Sequence, residues 1–296
     1  MAAEILPPEV DLASPAVTRA VVRRFNLRPR PRRGQHFLVS RETVRRIVAA
    51  ADLGPDDVVV EVGSGLGTLT RALAATAGRV VALEVDAGLL PVLGYTVGAL
   101  ANVRIVLADV RRTSLSGLAR EEGATRFKVV ANLPYYLTSA FLRQLLTREP
   151  GFTLAVLTVQ REVAERLLAV PGSKAYGLLT VAVSYFAEVR RIAEVGREKF
   201  WPRPEVDSTV VRLVRRSQPP VEVGDEEFFF GLVRAGFGRR RKILLNALEA
   251  GLGLPKERVR AVLSEQGFSE TCRAEELSLE DYAALSRAFI RYRKGG

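Results

Sequence analysis

Residues 131–136 read ANLPYY and follow an apolar run, FKVV (127–130). The stretch offers a side-chain amide at Asn132, a carbonyl next to a proline that has no N–H, and two aromatic rings. A core strand usually ends in Gly, Asp or Ser and turns away. An amide, a lone carbonyl and flat apolar surface instead suit the holding of a planar ring that bears an amine.

A second stretch, EVGSGLGTLT (61–70), spaces Gly63, Gly65 and Gly67 as G-x-G-x-G. The dinucleotide fingerprint is G-x-G-x-x-G, and Thr68 stands where its last glycine belongs. No G-K-[ST] follows, so the loop is not a phosphate-cradling P-loop. It is a turn that lets a ligand approach the backbone, with the wrong spacing for NAD. Glu84 closes the next apolar run, where a carboxylate accepts from both hydroxyls of a ribose and repels a 2′-phosphate. Asp109 closes the run after that, in VLAD, and suits the exocyclic amine of a bound adenine. Asn132 closes the fourth. The carboxyl ends of strands in an open α/β sheet line one crevice, so Gly63, Glu84, Asp109 and Asn132 are expected at one edge.

The elements that would bring them there read as alternating strands and helices. Strands are expected over 57–63, 79–86, 103–109, 126–132 and 152–160. Helices are expected over 40–54, 68–78, 87–100, 139–147 and 161–169, with one more between the third and fourth strands. Such alternation implies a mostly parallel sheet covered on both faces. Residues 180–214 read as late strands closing that sheet. A linker, RRSQPPVEVGDEE (215–227), precedes purely helical periods near 226–236, 240–250, 255–266 and 279–292. The expected organisation is a basic N-terminal arm over 1–33, an α/β domain over 34–216 and a small all-helical domain over 217–296.

Bulk composition narrows the partners. The chain has 296 residues and is 48% apolar, enough for one large domain and a small one. Its apolar runs are too short to cross a bilayer, and its N-terminus lacks a basic-then-apolar leader, so a cytoplasmic protein is expected. One Cys and one His cannot build a zinc cluster, and no metal site is assigned; an all-carboxylate magnesium site is compatible with the composition. Lys plus Arg number 44 against 33 Asp plus Glu, a net charge of +11. Such a balance, mostly Arg, points to a polyanion held by forked phosphate contacts and base stacking. The Arg-rich arm, with Arg32 and Arg33, and the run GRRRK, with Arg239, Arg240, Arg241 and Lys242, are the expected nucleic-acid contacts.

The order G-x-G-x-G, acid, acid, N-L-P-Y resembles a class I S-adenosylmethionine-dependent methyltransferase acting on the N6 amine of adenine. Finer motifs resemble one family, the bacterial small-subunit (16S) rRNA adenine N6-dimethyltransferases. They are GQHFL (34–38), EVGSGLGTLT, NLPYY, QREVAERL (160–167), SKAYGLL (173–179), FWPRPEVDSTVVRL (200–213), FGRRRKILLNAL (237–248) and RAEELS (273–278), and they run in order from about residue 30 to the C-terminal helix. Two positions depart from the family's usual pattern: Ser64 stands where Pro is common, and His36 where Asn is common.

The resemblance implies a Rossmann-like class I methyltransferase domain followed by a helical domain. It implies S-adenosyl-L-methionine as cofactor, held by His36, Leu38, Gly63, Gly65, Glu84, Asp109 and Asn132. It implies that the side-chain oxygen of Asn132 and the carbonyl of Leu133 or Pro134 accept the N6 hydrogens, that Tyr135 stacks on the target adenine and that Phe200 covers its other face. Trp201 is expected to pack or to sit at the rim, and Tyr136 to pack. The implied activity is N6,N6-dimethylation of two adjacent adenines in a 3′-terminal hairpin loop of 16S rRNA within immature 30S subunits, by a monomer. Rival readings are a 23S rRNA adenine dimethyltransferase of the macrolide-resistance type, a DNA adenine methyltransferase, and a ribosome-assembly factor acting mainly by binding. FWPRPEVDS and RAEELS weigh against the first, and the lack of a separate target-recognition domain against the second.

Overall fold

The computed structural model describes residues 5–7, 10–31, 34–238 and 242–294. The chain divides into two compact units: residues 1–164 with 190–215, and residues 165–189 with 216–296.

The first unit is built on strands β1 Phe37–Leu38, β2 Val58–Val62, β3 Arg79–Glu84, β4 Val103–Leu107, β5 Phe127–Asn132, β6 Phe152–Gln160, β7 Ala187–Val195, β8 Phe200–Trp201 and β9 Ser208–Arg215. Seven of them form one sheet in the order β4-β3-β2-β5-β6-β9-β7. The pairs β2–β3, β2–β5, β3–β4 and β5–β6 are parallel, and β6–β9 is antiparallel. The order reverses between β3 and β5, on either side of β2. That reversal opens a crevice at the strand carboxyl ends. The central strands are continuous β-branched runs such as VVVEV, buried at every position, as a sheet covered on both faces requires. Each fully buried valine contributes about 1.5–3 kcal/mol of transfer free energy.

The helices of this unit are α1 Pro15–Arg24, α2 Arg41–Ala51, α3 Thr68–Ala74, α4 Leu90–Val97, α5 Leu115–Glu121 and α6 Thr138–Arg148, with α7 Arg161–Leu167 at its boundary. Ser40 caps α2 by accepting from the Thr43 N–H. That helix closes on Asp52 in the left-handed region, two residues before the expected Gly54. Gly67, at φ +85°, starts α3 where any Cβ would lie 2.8 Å from the Thr96 hydroxyl and 2.9 Å from Val97. Its lack of a side chain is what lets α3 pack against α4.

Three expectations are corrected. The segment over 1–33 is not an extended arm throughout, because α1 lies within it. Thr18, Val21 and Val22 recur at helical spacing, and Val21 and Val22 pack with Leu6, Leu12, Phe37, Leu66, Leu89 and Val92. Residues 180–186 are not strand. They belong to helix α8 Leu178–Phe186 of the second unit, because LLTVAVSYF is apolar on all sides and context decides its state. The division between units also differs from a single cut at 216, since residues 165–189 group with the C-terminal helices.

The second unit comprises α8, α9 Glu226–Phe237, α10 Leu244–Leu252, α11 Lys256–Glu265 and α12 Leu279–Lys294. Its core gathers Val181, Tyr185, Phe229, Leu232, Leu245, Leu248, Val262, Tyr282 and Phe289. The Tyr185 ring stacks on Phe229 at 5.5 Å. Within the expected linker Val223 is buried and its carbonyl accepts from the Ser286 hydroxyl, while residues 217–220 are exposed.

Candidate active site

A cavity of about 310 Å³ opens in the first unit at the strand carboxyl ends. His36, Leu38, Gly63, Gly65, Glu84, Asp109, Asn132 and Pro134 all line it. The sheet topology accounts for Gly63, Glu84 and Asn132, since β2, β3 and β5 are adjacent and parallel, whereas His36 and Leu38 come from the β1 segment outside that sheet.

The glycine turn is tied to β3 by its own backbone. Gly63 and Ser64 both donate N–H bonds to the Leu83 carbonyl, at 2.8 and 3.2 Å. Gly65 donates to Glu84 Oε2 at 2.9 Å, while Val85 and Asp86 donate to Oε1 at 2.8 and 2.9 Å. Three backbone donors thus hold one buried carboxylate in a fixed rotamer. A carboxylate offers about four lone-pair sites, so accepting capacity remains for a ligand hydroxyl.

Asp109 lies two residues beyond the end of β4, not on it. It caps the turn Val110–Arg112, and Arg111 grips both its oxygens through Nε and Nη2. Those hydrogen bonds hold its carboxyl below the usual range.

Asn132 Nδ2 donates to the His36 carbonyl at 3.2 Å, which directs the amide and leaves Oδ1 as an acceptor. The His36 Nδ1–H donates to the Pro202 carbonyl at 2.7 Å, so Nε2 carries the lone pair in the neutral ring. Gly34, at φ +76°, lies so close to Pro134 that a Cβ there would come within 2.5 Å of the proline ring. The Pro134 carbonyl accepts from the Leu137 N–H at 2.9 Å, whereas the Leu133 N–H is spent on Thr158 at 3.3 Å. Of the two, Pro134 lines the cavity, while Leu133 is buried and is not among the lining residues.

The rings are arranged differently from the expectation. Tyr135 is half-buried and holds its hydroxyl against Ser208 Oγ at 3.1 Å; burial pushes its pKa up, so it stays neutral. The ring stacked near it is His36, at 6.3 Å between centroids and 21° between planes. Phe200 does not reach the cavity: it is 4% exposed and packs with Leu38, Ile47 and Val210. The β1–β8 register pairs it with Leu38 on the core side and places Trp201 opposite Phe37. Tyr136, expected to pack, is instead 64% exposed and lines the cavity.

Glu61, Asp86 and Arg111 also line the cavity and were missed. Glu61 is 1% exposed, accepts from Thr70 Oγ1 at 2.5 Å, and is pushed up to about 7 by burial and the nearby Glu84 charge. Its signal was present, as the lone acid in the apolar run VVVEV. Asp86 accepts from Gln35 Nε2 at 2.7 Å, fastening the segment that leads into β1 to the same edge. Glu61, Glu84, Asp86 and Asp109 against one guanidinium make a lining that suits a cation and disfavours a pyrophosphate.

Among the described residues no His, Cys, Asp and Glu cluster could hold a metal, and no helix is long and apolar enough to cross a membrane. Of the expected nucleic-acid contacts, Arg32, Arg33, Arg239, Arg240 and Arg241 lie outside the described residues, and Lys242 is exposed just before α10.

Comparison with known proteins identifies the family. Residues 26–291 match the family described as Ribosomal RNA adenine dimethylase. The chain is 46% identical over 289 residues to the Ribosomal RNA small subunit methyltransferase A of Pelotomaculum thermopropionicum, covering 95% of this chain and 98% of that protein. The protein of the same name from Moorella thermoacetica is 45% identical over 283 residues, covering 94% and 98%. Among solved structures, a dimethyladenosine transferase from Plasmodium falciparum aligns with a TM-score of 0.72 at 26% identity, covering 88% of this chain and 98% of that one. The 23S rRNA methyltransferase ErmE aligns at 0.67 and 29%, covering 86% and 99%. With a family match across nearly its whole length and relatives well above 40% identity, the chain belongs to the ribosomal RNA adenine dimethylase family.

Proposed function

We propose that the protein transfers methyl groups from S-adenosyl-L-methionine to the N6 amines of two adjacent adenines in a 3′-terminal hairpin loop of 16S rRNA, acting as a cytoplasmic monomer on immature 30S subunits. The observation that carries this reading is the amide of Asn132, fixed through the His36 carbonyl at the mouth of an acid-lined crevice. The curated relatives' name, small subunit methyltransferase A, supports 16S rather than 23S rRNA as the substrate.

The lining fits the cofactor. Glu84 suits a ribose diol, Asp109 an adenine amine, and Gly63 and Gly65 allow close approach. The acidic surround favours a molecule whose sulfonium and ammonium outweigh its carboxylate. When bound, the cofactor supplies an activated methyl group that needs neither metal nor strong base.

The residues of the chain do the rest by positioning. The N6 lone pair of adenine is delocalised into its ring. Asn132 Oδ1 and the carbonyl of Leu133 or Pro134, accepting its hydrogens from outside the ring plane, favour a pyramidal nitrogen with a usable lone pair. Tyr135, neutral and tethered to Ser208, offers the base a face on which to stack. After one transfer a single N–H remains and one acceptor suffices. Unstacking the target costs about a few kcal/mol, less in a loop, and backbone contacts from basic segments offset it.

The test is transfer of labelled methyl groups to purified under-methylated 30S subunits, with naked 16S rRNA, 23S rRNA and duplex DNA in parallel. N6,N6-dimethyladenosine recovered from the 30S sample alone is the expected result. Label in 23S rRNA would replace this reading with the resistance-type activity.

A further inference from the structure

Tyr136 is an anomaly of this crevice. The turn Tyr135–Leu137 fixes its two neighbours: Tyr135 by its hydroxyl bond to Ser208, and Leu137 by burial. Tyr136 alone projects outward, 64% exposed, and still lines the cavity. Leaving a ring in water forfeits the burial free energy that an aromatic residue normally gains. No packing role explains it.

Its position suggests what covers it. Tyr136 follows Asn132 by four residues, at the lip of the crevice rather than its floor, and Arg111 on the same rim lies within electrostatic reach. Arg111 is already gripped by Asp109, so the pair is close to neutral and offers little as a phosphate clamp. Of the exposed apolar side chains that line the cavity, Val85 and Tyr136, Tyr136 offers an aromatic face. Single-stranded nucleic acid is held on such faces by base stacking. A target adenine drawn into the crevice leaves its neighbour unstacked at the lip.

We infer that Tyr136 is a stacking platform for the nucleotide next to the target adenine, a positioning residue on the RNA side of the site. This rests on the rRNA-methylating reading above. Where two adjacent adenines are modified in turn, the waiting base occupies this ring while its neighbour reacts.

The experiment compares wild type with Tyr136→Ala, Tyr136→Phe and Tyr136→Trp on under-methylated 30S subunits, alongside calorimetric binding of S-adenosylmethionine. A stacked base is worth about 1–3 kcal/mol, so the Ala variant should lose about tenfold in kcat/KM. Its cofactor Kd should stay within about twofold, and Phe and Trp should restore the rate, since every aromatic residue keeps a π face. Its partial products should be enriched in particles with only one of the two adenines dimethylated. A hairpin RNA carrying 2-aminopurine beside the target gives a direct readout: quenching on binding, lost in the Ala variant and kept in Phe. Unchanged 30S kinetics in the Ala variant would overturn the inference. So would a matching loss of cofactor affinity, which would place the ring over the cofactor. If wild type methylates no RNA at all, the functional reading itself falls and this inference with it; a wild type that works beside an unaffected Ala variant sinks the inference alone.

Discussion

Glu61, Glu84 and Glu149 are all buried in the unit that carries the crevice. The helical unit, among its described residues, buries rings, aliphatic chains and a thiol, and otherwise only neutral hydroxyls such as those of Thr180, Tyr282 and Ser286. Burying a charge is costly unless it is answered, and the first unit answers its charges unequally. Glu84 takes three backbone N–H bonds. Glu149 takes two from the start of α5 plus the Ser116 hydroxyl. Glu61, beneath the crevice, has hydroxyl partners and another carboxylate nearby. The contrast separates geometry kept for chemistry from packing kept for stability. Substitutions in the two units should therefore fail in different ways.

The largest effect is expected at Asn132. Asn132→Ala removes an acceptor aimed at the reacting amine, and loss of one such preorganised group costs about 100- to 1000-fold in rate. Single-turnover methyl transfer should show that loss while the melting temperature moves little, because the amide makes one 3.2 Å bond to a backbone carbonyl. A drop of less than tenfold would remove Asn132 from the chemistry. The same variant tests the assembly-factor alternative: if it binds immature 30S subunits and still supports their maturation, binding is the primary role.

Leu232→Ala is the counterpart in the helical unit. Leu232 is fully buried among Phe229, Leu245 and Leu248, and the cavity left behind should cost about 3–4 kcal/mol in urea unfolding. The folded variant should keep its cofactor affinity. A loss of affinity without a loss of stability would invert the contrast between the units.

Glu61→Gln probes the least well answered of the three charges. Below pH 4.5 the folded and unfolded chains both hold the proton; between 4.5 and about 7 only the folded chain keeps it. Wild-type stability should therefore fall as pH rises through that window and level off above it. The Gln variant lacks this slope and keeps an acceptor for Thr70. Its advantage should grow from nothing near pH 4.5 to about 3 kcal/mol above pH 7 in chemical denaturation. Equal slopes would mean that water reaches Glu61 and relieves its burial.

How much of this was legible varied by region for physical reasons. The parallel sheet was readable because β-branched runs such as VVVEV and FTLAVLTVQ alternate with amphipathic helices, so the two periods do not mix. Helix α8 was not, since LLTVAVSYF has no polar face by which either period could be recognised. Helix α1 was hidden behind its arginines, although Ser14-Pro15 and the spacing of Thr18, Val21 and Val22 announce a helix start and a buried stripe. Gly63, Glu84 and Asn132 could be brought together from strand order alone. Which way a ring faces could not: Phe200 turns inward and Tyr136 outward because of a β1–β8 register and a turn that no local pattern encodes.

Lys242 should give the smallest effect and the finest test of the helical unit's surface. It is exposed at the turn leading into α10, beyond the core that Leu232 anchors. If that surface meets rRNA phosphates, each cation there acts by releasing a counterion, which adds about 0.7–0.9 to the slope of log affinity against log salt. Lys242→Ala should lower that slope by about one contact and weaken 30S binding by less than about 1 kcal/mol at moderate salt. Stability and single-turnover chemistry at saturating enzyme should not change, because the side chain is exposed and is not part of its unit's core. An unchanged slope would mean that this turn faces solvent in the complex. The net charge of +11 would then act through other arginines, and the helical unit would contribute shape rather than charge to recognition.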